Sequence, residues 1–301
     1  MKINYNGTPI NILKAKHREI AVFSTEGENI DHVVVEGFGE EWLKFTDFSQ
    51  EEILAMSAEY FDILTDKIVN KNSYAADIGC GSGRWTRALS ERAGFIEAID
   101  PSNAVIAADE LLRDVDNVRI TKASVETIPF PDETFDFAMS VGVLHHIPDT
   151  QKAMADCVKK VKKNGYFFTY LYYNLETRSA VYKSLFFVSA GIRNMVSKMP
   201  SGLKKFSCDL LAITTYLPII SVGRLLRSIK MDKAAARLPL SQYQDKSFFV
   251  IRNDALDRYG TTLEQRFSKA EVIAMMEKSG LTDIIVSTIS PFYHAVGRRK
   301  S

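Results

Sequence analysis

The sequence predicts an α/β fold built around a parallel sheet, and three observations support this prediction. A short apolar segment that begins at Tyr74 runs into a glycine-rich turn and then into a helical pattern. Strand-like and helix-like segments then alternate as far as Tyr172, as in a series of βα units. Near the end of the chain, residues 281–289 and 292–299 form two strand-like segments joined by a Ser-Pro turn.

The composition is that of a soluble globular protein in a reducing compartment. The 301 residues are 46% hydrophobic and 25% charged, which is ordinary for this class. Cys80, Cys157 and Cys208 are far apart and show neither disulfide nor metal-ligand spacing, so we expect no bound metal. The N-terminus lacks the apolar core of a signal peptide, which predicts a cytoplasmic protein rather than a secreted one.

The first 50 residues are predicted to form an extension that precedes the α/β core. Residues 20–23 and 32–35 have the β-branched, apolar character of short strands. Ser49 followed by Glu52 is a capping-box pattern, which predicts the start of a helix.

Three aromatic residues near the end of this extension have two interpretations. Phe38, Trp42 and Phe45 are placed so that they anchor the extension on the body of the protein. Alternatively, one of them closes over a bound cofactor or substrate. The sequence leaves both interpretations open.

The turn after Tyr74 has the pattern D-x-G-x-G-x-G, formed by Asp77, Gly79, Gly81 and Gly83. Glycine tolerates positive φ and has no Cβ, so a ligand can approach the backbone closely. Asp77 is at the carboxyl end of the predicted strand, where open α/β sheets bind their ligands. A dinucleotide fingerprint, the competing interpretation, needs Gly or Ala at position 84, which is Arg in this chain.

A second acidic residue belongs to the next predicted strand, residues 95–102. Asp100 lies 23 residues after Asp77. At such a position a carboxylate can accept hydrogen bonds from both hydroxyls of a ribose. The alternative is that Asp100 caps the helix predicted for residues 103–112.

The later elements follow in regular order. Further strands are predicted at 117–124, 134–140 and 166–172. Asp149 is a candidate N-cap for a helix that ends at residue 163, before Asn164 and Gly165. A second capping box, Ser268 with Glu271, heads a helix closed by Gly280.

This succession of motifs resembles the class I S-adenosylmethionine (SAM) dependent methyltransferases of the small-molecule type. The resemblance covers residues 74–172 and again 266–300. It implies a Rossmann-like, seven-stranded sheet with one antiparallel strand and helices on both faces. It also implies SAM as the cofactor and S-adenosylhomocysteine as the product.

The resemblance assigns a part of SAM to each loop. The glycine turn would meet the methionine part, with Asp77 beside its amino group, and Asp100 would bind the ribose. Ser140 would face the methionine part or the acceptor. The family often has Asp where this chain has Ser124, so the adenine contact would come from the Ser124 hydroxyl or the backbone of the next residue. The implied cofactor residues are Asp77, Gly79, Cys80, Gly81, Gly83, Asp100, Pro101, Ser102, Ser124, Val125, Glu126 and Ser140.

Residues that act on the acceptor are expected on other loops. His145 and His146 follow the strand at 134–140, and imidazole titrates near neutral pH, so either is a candidate base for a hydroxyl acceptor. The alternative is that one of them packs against or caps the turn before Pro148. Candidate acceptor contacts are Trp42, Tyr172, Tyr173, Asp254, Arg258 and Tyr259; a solvated loop is the alternative for the last three.

A basic segment interrupts the pattern of the core. Between Arg178 and Arg237 there are eleven Lys or Arg and two Asp, a net charge of +9, whereas the rest of the chain carries −8. The apolar run at 210–226 is too short and broken to predict a transmembrane helix. The predicted division is 1–50 (extension), 51–173 (SAM-binding core), 174–247 (basic helical lid insert) and 248–301 (return to the core).

The charge of the insert has four interpretations. They are a solvated lid over the acceptor, attraction to an anionic acceptor such as a phosphate-linked sugar or lipid, docking on an anionic membrane surface, and nucleic-acid binding. The acidic body and the lack of a recognised nucleic-acid module argue against the last.

The predicted function is methyl transfer by in-line displacement to a small-molecule acceptor that is anionic or linked to a lipid or sugar. Two alternatives stay open: a SAM-binding regulatory or assembly protein without transfer activity, and a membrane-associated enzyme acting on a lipid intermediate. In the latter case the protein would be cytoplasmic but peripheral to the membrane. The sequence decides neither the acceptor atom (O, N or C) nor the oligomeric state.

Overall fold

The computed structural model describes residues 2–44, 49–176, 180–289 and 293–301. The chain forms two compact units, one of residues 1–176 with 263–301 and the other of residues 177–262. These boundaries differ from the division at 173/174 and 247/248 that the sequence suggests. The helix Phe248–Gly260 belongs to the second unit, because Arg252 binds the Asp209 carboxylate through two hydrogen bonds of 2.9 and 2.7 Å within that unit.

The first unit contains a nine-stranded sheet in the described part of the chain. Its order is β1-β2-β5-β4-β3-β6-β7-β9-β8, with parallel pairing from β2 to β7 and antiparallel pairing for β1, β9 and their neighbours. The strands are β1 (Asn11–Lys14), β2 (Glu19–Val22), β3 (Tyr74–Ile78), β4 (Phe95–Asp100), β5 (Val118–Lys122), β6 (Phe135–Val141), β7 (Val161–Tyr170), β8 (Leu281–Val286) and β9 (Ala295–Arg299).

The prediction of seven strands was wrong in number, because the N-terminal segment joins the sheet instead of remaining outside it. The other seven strands match the predicted arrangement, with β9 as the antiparallel member. Their order in the sheet is β5-β4-β3-β6-β7-β9-β8. β1 and β2 form a hairpin, and Ala21 and Val22 of β2 pair in parallel with Thr121 and Lys122 of β5. Backbone groups at the free edge of β5 thereby obtain hydrogen-bond partners.

Helices cover the sheet in the first unit and form most of the second. They are α1 (His32–Lys44), α2 (Gln50–Tyr60), α3 (Arg84–Ser90), α4 (Ala104–Leu111), α5 (Thr150–Lys159), α6 (Ala180–Val196), α7 (Ser201–Leu211), α8 (Leu217–Ser228), α9 (Asp232–Arg237), α10 (Phe248–Gly260) and α11 (Lys269–Lys278). Both predicted capping boxes are present at the starts of α2 and α11, with reciprocal side-chain and backbone hydrogen bonds.

The strand predicted at residues 32–35 was wrong, because this segment begins α1. Its Val-rich sequence favours a strand locally. However, the Asp31 carboxylate accepts hydrogen bonds from the backbone N–H groups of Val33 (3.0 Å) and Val34 (3.2 Å), which stabilises a helix start. Val34 is buried while Val33 is exposed, so one face of the helix packs on the body.

The helix after Asp149 ends at Lys159 rather than at residue 163. Asp149 does cap it, since its carboxylate accepts from the Lys152 N–H at 2.9 Å. Asn164 has the left-handed conformation expected near Gly165, with φ of 63°, but this turn lies inside β7. The pairing of β6 and β7 is irregular there, so a turn signal that usually ends a helix instead marks an interruption in a strand.

The second unit is helical. α7, a π-helical segment (Ala212–Tyr216) and α8 follow one another without a break, so Gly202–Ser228 forms one helical run of 27 residues. This run is longer than the sequence predicted, and by length and composition alone it is sufficient to cross a membrane. The lid role predicted for this segment stays a prediction.

The terminal strand pair agrees with the sequence in kind but is shorter. β8 ends at Val286 and β9 begins at Ala295, and the two strands are antiparallel. The predicted turn at Ser290 and Pro291 lies outside the described residues, as does Phe45.

Candidate functional site

The glycine turn lies between β3 and α3, at the carboxyl edge of the sheet. Gly79, Gly81 and Gly83 have φ of 81°, 53° and 83°, values that favour glycine strongly. A Cβ added to Gly79 would lie 2.5 Å from the Val143 side chain, so this position is also sterically closed to other residues. The N–H groups of Gly79 and Cys80 donate to the Ile99 carbonyl at 2.7 and 3.0 Å, which ties the turn to β4.

Asp77 is fully buried at the end of β3. The Thr86 hydroxyl donates to its Oδ2 at 2.6 Å, while Oδ1 has no hydrogen-bond partner among the described residues. Burial, reinforced by the negative charge of Asp100, raises the pKa of Asp77 to about 7, against the hydrogen bonds from Thr86. A buried carboxylate with a free oxygen is suited to bind a cationic group, which would compensate its charge.

Asp100 connects the glycine turn to the loop after β4. Its Oδ2 accepts from the Gly81 N–H at 2.9 Å, and its Oδ1 accepts from the Ser102 N–H at 2.8 Å and the Ser102 hydroxyl at 2.6 Å. A carboxylate has about four acceptor positions, so capacity for a ligand hydroxyl remains. The hydroxyl of Ser102, not Asp100, accepts the Ala104 N–H at the start of α4, so the alternative role of Asp100 as a helix cap is not what the structure shows.

The loop after β5 is held by contacts within the protein. The hydroxyls of Ser124 and Thr127 lie 3.0 Å apart, and the Ser124 N–H donates to Thr127 at 3.0 Å. The Glu126 carboxylate binds the Asn29 N–H at 3.0 Å and forms an ion pair with Lys152. Its contacts therefore fix the N-terminal segment, and adenine binding by this loop stays a prediction.

Ser140 lies at the end of β6 and is fully buried. Its hydroxyl donates to the Ile78 carbonyl of β3 at 2.8 Å, so it links two neighbouring strands. This bond does not test the predicted contact of Ser140 with the methionine part of SAM or with the acceptor, which stays a prediction. The predicted contribution of Pro101 to SAM binding also stays a prediction.

Helix α1 contacts the loops at this edge of the sheet. A Cβ on Gly81 would lie 3.3 Å from Trp42 Nε1, so the indole lies against the glycine turn. The Arg84 guanidinium carbon is 4.9 Å from the centre of the Trp42 ring and 4.8 Å from that of Trp85. Gly39, one turn earlier, packs on the loop after β4. These contacts anchor α1 on the body, and closure of one of the aromatic residues over a ligand stays a prediction.

The two histidines after β6 have different surroundings. His146 Nδ1 donates to the Leu263 carbonyl at 2.7 Å, so its orientation is set by the protein. His145 is fully buried, and neither of its ring nitrogens has a hydrogen-bond partner among the described residues. Its ring centre is 4.1 Å from that of His146 and 4.0 Å from that of Tyr172.

The segment that contains these residues matches a known protein family. Residues 76–169, which include the glycine turn, Asp100 and His145, match a family model described as a methyltransferase domain. The chain carries a class I SAM-dependent methyltransferase domain. It is an enzyme, and SAM is its cofactor.

Two relatives in sequence are also methyltransferases. A ubiquinone biosynthesis O-methyltransferase of Coxiella burnetii is 21% identical over 179 residues, which are 56% of this chain and 74% of that protein. A demethylmenaquinone methyltransferase of Bacillus licheniformis is 31% identical over 101 residues, which are 32% of this chain and 44% of that protein.

A solved structure supports the fold of the methyltransferase. Human N-acetylserotonin methyltransferase in complex with SAM superposes with a TM-score of 0.51 and 12% identity, covering 88% of this chain and 57% of that one. At this level of identity the likeness shows the fold alone.

The residues of the methyltransferase site fit SAM. Asp77 offers a buried, unpaired carboxylate oxygen for the amino group, and Asp100 retains acceptor capacity for the ribose. The glycine turn leaves its backbone open to approach. Among the described residues, no group of three or more His, Cys, Asp or Glu is arranged to hold a metal ion.

Four residues of the candidate site were not selected from the sequence. They are Thr86, Arg84, Val143 and Gln265, which contact Asp77, Trp42, Gly79 and the His145 loop respectively. Thr86 could have been found, since it lies three residues after Gly83, on the first turn of α3. The other three contacts join segments distant in sequence, so no local pattern reveals them.

Gln265 and Arg266 lie beside the two histidines. The Gln265 N–H donates to the His145 carbonyl at 3.0 Å, and its side chain donates to the Ile147 carbonyl at 2.8 Å. The Arg266 guanidinium carbon is 5.1 Å from the centre of the Tyr172 ring. Arg266 also donates to the carbonyl of Tyr173 at 3.2 Å, so it holds both predicted aromatic acceptor contacts in place.

Asp254, Arg258 and Tyr259 lie in the second unit. Asp254 accepts from the Tyr216 hydroxyl at 3.0 Å and pairs with Arg258 at 3.4 Å, and Tyr259 is 2.9 Å from the Ser189 hydroxyl. These contacts connect the helices of that unit with one another. The predicted role of the three residues as acceptor contacts stays a prediction.

Proposed function

We propose that this enzyme transfers the SAM methyl group to a hydroxyl of a small aromatic acceptor that carries a lipid-like tail. The observation that carries the proposal is His145, a buried imidazole whose two nitrogens lack hydrogen-bond partners among the described residues. A hydroxyl is a weak nucleophile until its proton is removed, so its methylation needs a base.

His145 is kept in the neutral form that a base requires. Burial, followed by electrostatic interaction with His146 and Arg266, lowers the pKa of His145 well below its usual value. The imidazole therefore stays unprotonated at neutral pH, and because a lowered pKa makes it a weak base, it suits the acidic hydroxyl of a phenol. We expect the acid limb of kcat/KM to lie below the ordinary imidazole value of about 6.5.

The surroundings of His145 favour a flat aromatic acceptor. Its ring packs against both His146 and Tyr172, and Phe38 of α1 is 4.9 Å from the ring of His146. Such rings bind another aromatic ring by offset or edge contacts. The names of the relatives, a ubiquinone biosynthesis O-methyltransferase and a demethylmenaquinone methyltransferase, support an acceptor of this class.

The chain contributes to the reaction by positioning and by proton transfer. Bound SAM supplies an electrophilic methyl group on a sulfonium. Asp77 and Asp100 hold the donor, and the Tyr172 ring orients the acceptor. As the acceptor oxygen forms its new bond to the methyl carbon, the carbon–sulfur bond breaks and S-adenosylhomocysteine leaves, while the O–H bond breaks and its proton moves to a ring nitrogen of His145.

The lipid-like tail of the proposed acceptor also indicates where the enzyme would meet it. We propose a cytoplasmic enzyme that meets this acceptor at the membrane surface. The net charge of +9 on the second unit supports this location, because inner membrane surfaces carry negative charge.

The test is methyl transfer from labelled SAM to a catechol, a phenol with an isoprenoid chain and an aliphatic amine. We expect transfer to the phenols, and a loss of about 100-fold or more in kcat for His145→Gln with unchanged SAM affinity by calorimetry. His17→Gln, on the surface, is the control. Transfer to the amine alone, or full turnover by His145→Gln, would refute the hydroxyl mechanism.

A further inference from the structure

We propose that the second unit binds the surface of an anionic lipid bilayer through an exposed apolar stripe bordered by basic residues. The stripe consists of Leu203, Phe206, Leu210, Ile213, Val222 and Leu225, on the helical run of α7 and α8. The proposal names the surface that would carry the membrane location proposed above, and it does not depend on which group the enzyme methylates.

The spacing of the stripe places its apolar side chains on one side of the helix. Leu203, Phe206, Leu210 and Ile213 follow one another at intervals of three and four residues, and Phe206 is 65% exposed. Cys208, Ala212, Tyr216 and Ile220, at intervals of four, are buried on the other side. The helix therefore has one face inside the unit and a second apolar face exposed to solvent.

Helix α6 also exposes large apolar side chains to solvent. Phe187 is 80% exposed, and Val188, Ile192 and Met195 are also exposed. Large apolar side chains are normally exposed singly, whereas contiguous exposed ones indicate an interaction surface. An aromatic and aliphatic face of this kind inserts readily at the boundary of headgroups and acyl chains.

Basic residues border these faces. The second unit, residues 177–262, has fourteen Lys or Arg and five Asp. Lys204 and Lys205 are adjacent to Leu203 and Phe206, while Arg224 and Arg227 flank Leu225. Three of the acids, Asp209, Asp245 and Asp254, are paired with arginines of the same unit, which leaves eleven Lys or Arg against two Asp and the same net charge of +9.

The charge identifies the occupant as a bilayer rather than a second copy of the chain. Two copies of a unit with net charge +9 repel each other, whereas an anionic lipid surface attracts it at about 1 kcal/mol for each Lys or Arg near the surface.

The geometry also favours surface binding over spanning. The inner side of the helical run carries Asp209, which binds Arg252, and Tyr216, which binds Asp254. Spanning would bring these charged groups into hydrocarbon, which is costly. An interfacial position leaves them among protein groups and inserts only the exposed stripe.

The test is co-sedimentation of the full chain with vesicles of phosphatidylcholine, with or without phosphatidylglycerol, at low and high salt. We expect binding to the anionic vesicles, weakened by salt. Phe206→Glu with Leu225→Glu, and separately Lys204→Glu with Lys205→Glu, should each weaken binding by about tenfold or more. The matched control, Ile10→Glu with Ile12→Glu, changes two exposed apolar residues of the first unit and should bind as wild type.

Three results would overturn the proposal. They are equal binding by the stripe variant and wild type, a wild-type dimer in sedimentation velocity that Phe206→Glu dissociates, and retention in the membrane after alkaline extraction, which indicates spanning. Failure to methylate phenols while vesicle binding persists would refute the proposed function alone, so the two proposals fail separately.

Discussion

The two units of the chain use charge and apolar surface in opposite ways. In the first unit, Phe135, Phe137 and Phe167 are fully buried in the sheet, and two buried carboxylates, Asp77 and Asp100, lie at its carboxyl edge. In the second unit, Phe187 and Phe206 remain exposed beside basic residues. The sheet of the first unit thus buries its large aromatic residues and places two carboxylates at one edge, whereas the second unit exposes aromatic residues beside basic ones.

The comparison predicts that substitutions at the carboxyl edge of the sheet in the first unit change SAM affinity and that those in the second unit do not. Gly79→Ala should have the largest effect. The added Cβ would lie 2.5 Å from Val143 at a φ of 81°, so we expect loss of measurable SAM binding and destabilisation by about 3 kcal/mol. Calorimetry and urea unfolding measure the two effects.

The control for Gly79 is Gly280→Ala. Gly280 has φ of 90°, but no atom of the described residues lies within 4 Å of an added Cβ. We expect only the backbone cost of about 1 kcal/mol and unchanged SAM binding. If both variants behave alike, the contact with Val143 does not restrict the turn.

Asp77→Asn should have the next largest effect, weakening SAM binding about 10- to 100-fold by removing a buried charge-assisted interaction. The pKa of Asp77, about 7 in the folded protein, falls when a cation binds. Wild-type affinity should therefore rise with pH through 7, with proton release detectable by calorimetry in different buffers. The Asn variant should lack this dependence.

The same substitution tests the stability of the ligand-free protein. A folded-state pKa near 7, against about 3.9 when unfolded, contributes stability that is full below pH 4 and lost as pH rises through 7. Up to about 4 kcal/mol is involved. We expect the Asn variant to lose less stability than wild type between pH 5 and pH 8 in urea unfolding. Asp245→Asn, in the second unit, should retain the wild-type profile.

Trp42→Ala should have a moderate effect. The indole lies on Gly81 and stacks with Arg84, so its removal should weaken SAM binding about 5- to 10-fold. Leu43→Ala, an exposed neighbour on α1, is the control. Tryptophan fluorescence should change on SAM addition in wild type. Equal SAM affinities for Trp42→Ala and wild type would remove α1 from the site.

Gly191→Ala should have the smallest effect and the opposite sign. Gly191 lies within α6, and in the described part of the chain no atom is within 4 Å of an added Cβ. Replacing an exposed helical glycine with alanine should stabilise the protein by about 0.5 to 1 kcal/mol without changing SAM affinity. Destabilisation in urea unfolding would show that this face of α6 is packed against something.

Prediction from the sequence succeeded where local chemistry decides the structure. The capping boxes at Ser49 and Ser268, and the N-cap at Asp149, need residues only three positions apart, so their pattern is sufficient. It failed for α1, where a Val-rich segment favours a strand but Asp31 and packing on the body produce a helix. It also missed β1, because an edge strand is defined by its partner, not by its own residues.

The residues of the candidate site show the same difference between local patterns and contacts that join distant segments. The sequence by itself determined the glycine turn, Asp77 and Asp100, since a strand that ends in D-x-G-x-G-x-G has few other structures open to it. Only the tertiary structure distinguished His145 from its neighbour, because their difference is a hydrogen bond from His146 to Leu263, more than a hundred residues away. Likewise, only the folded helices of the second unit separate its buried apolar residues from its exposed ones, since burial depends on packing between segments.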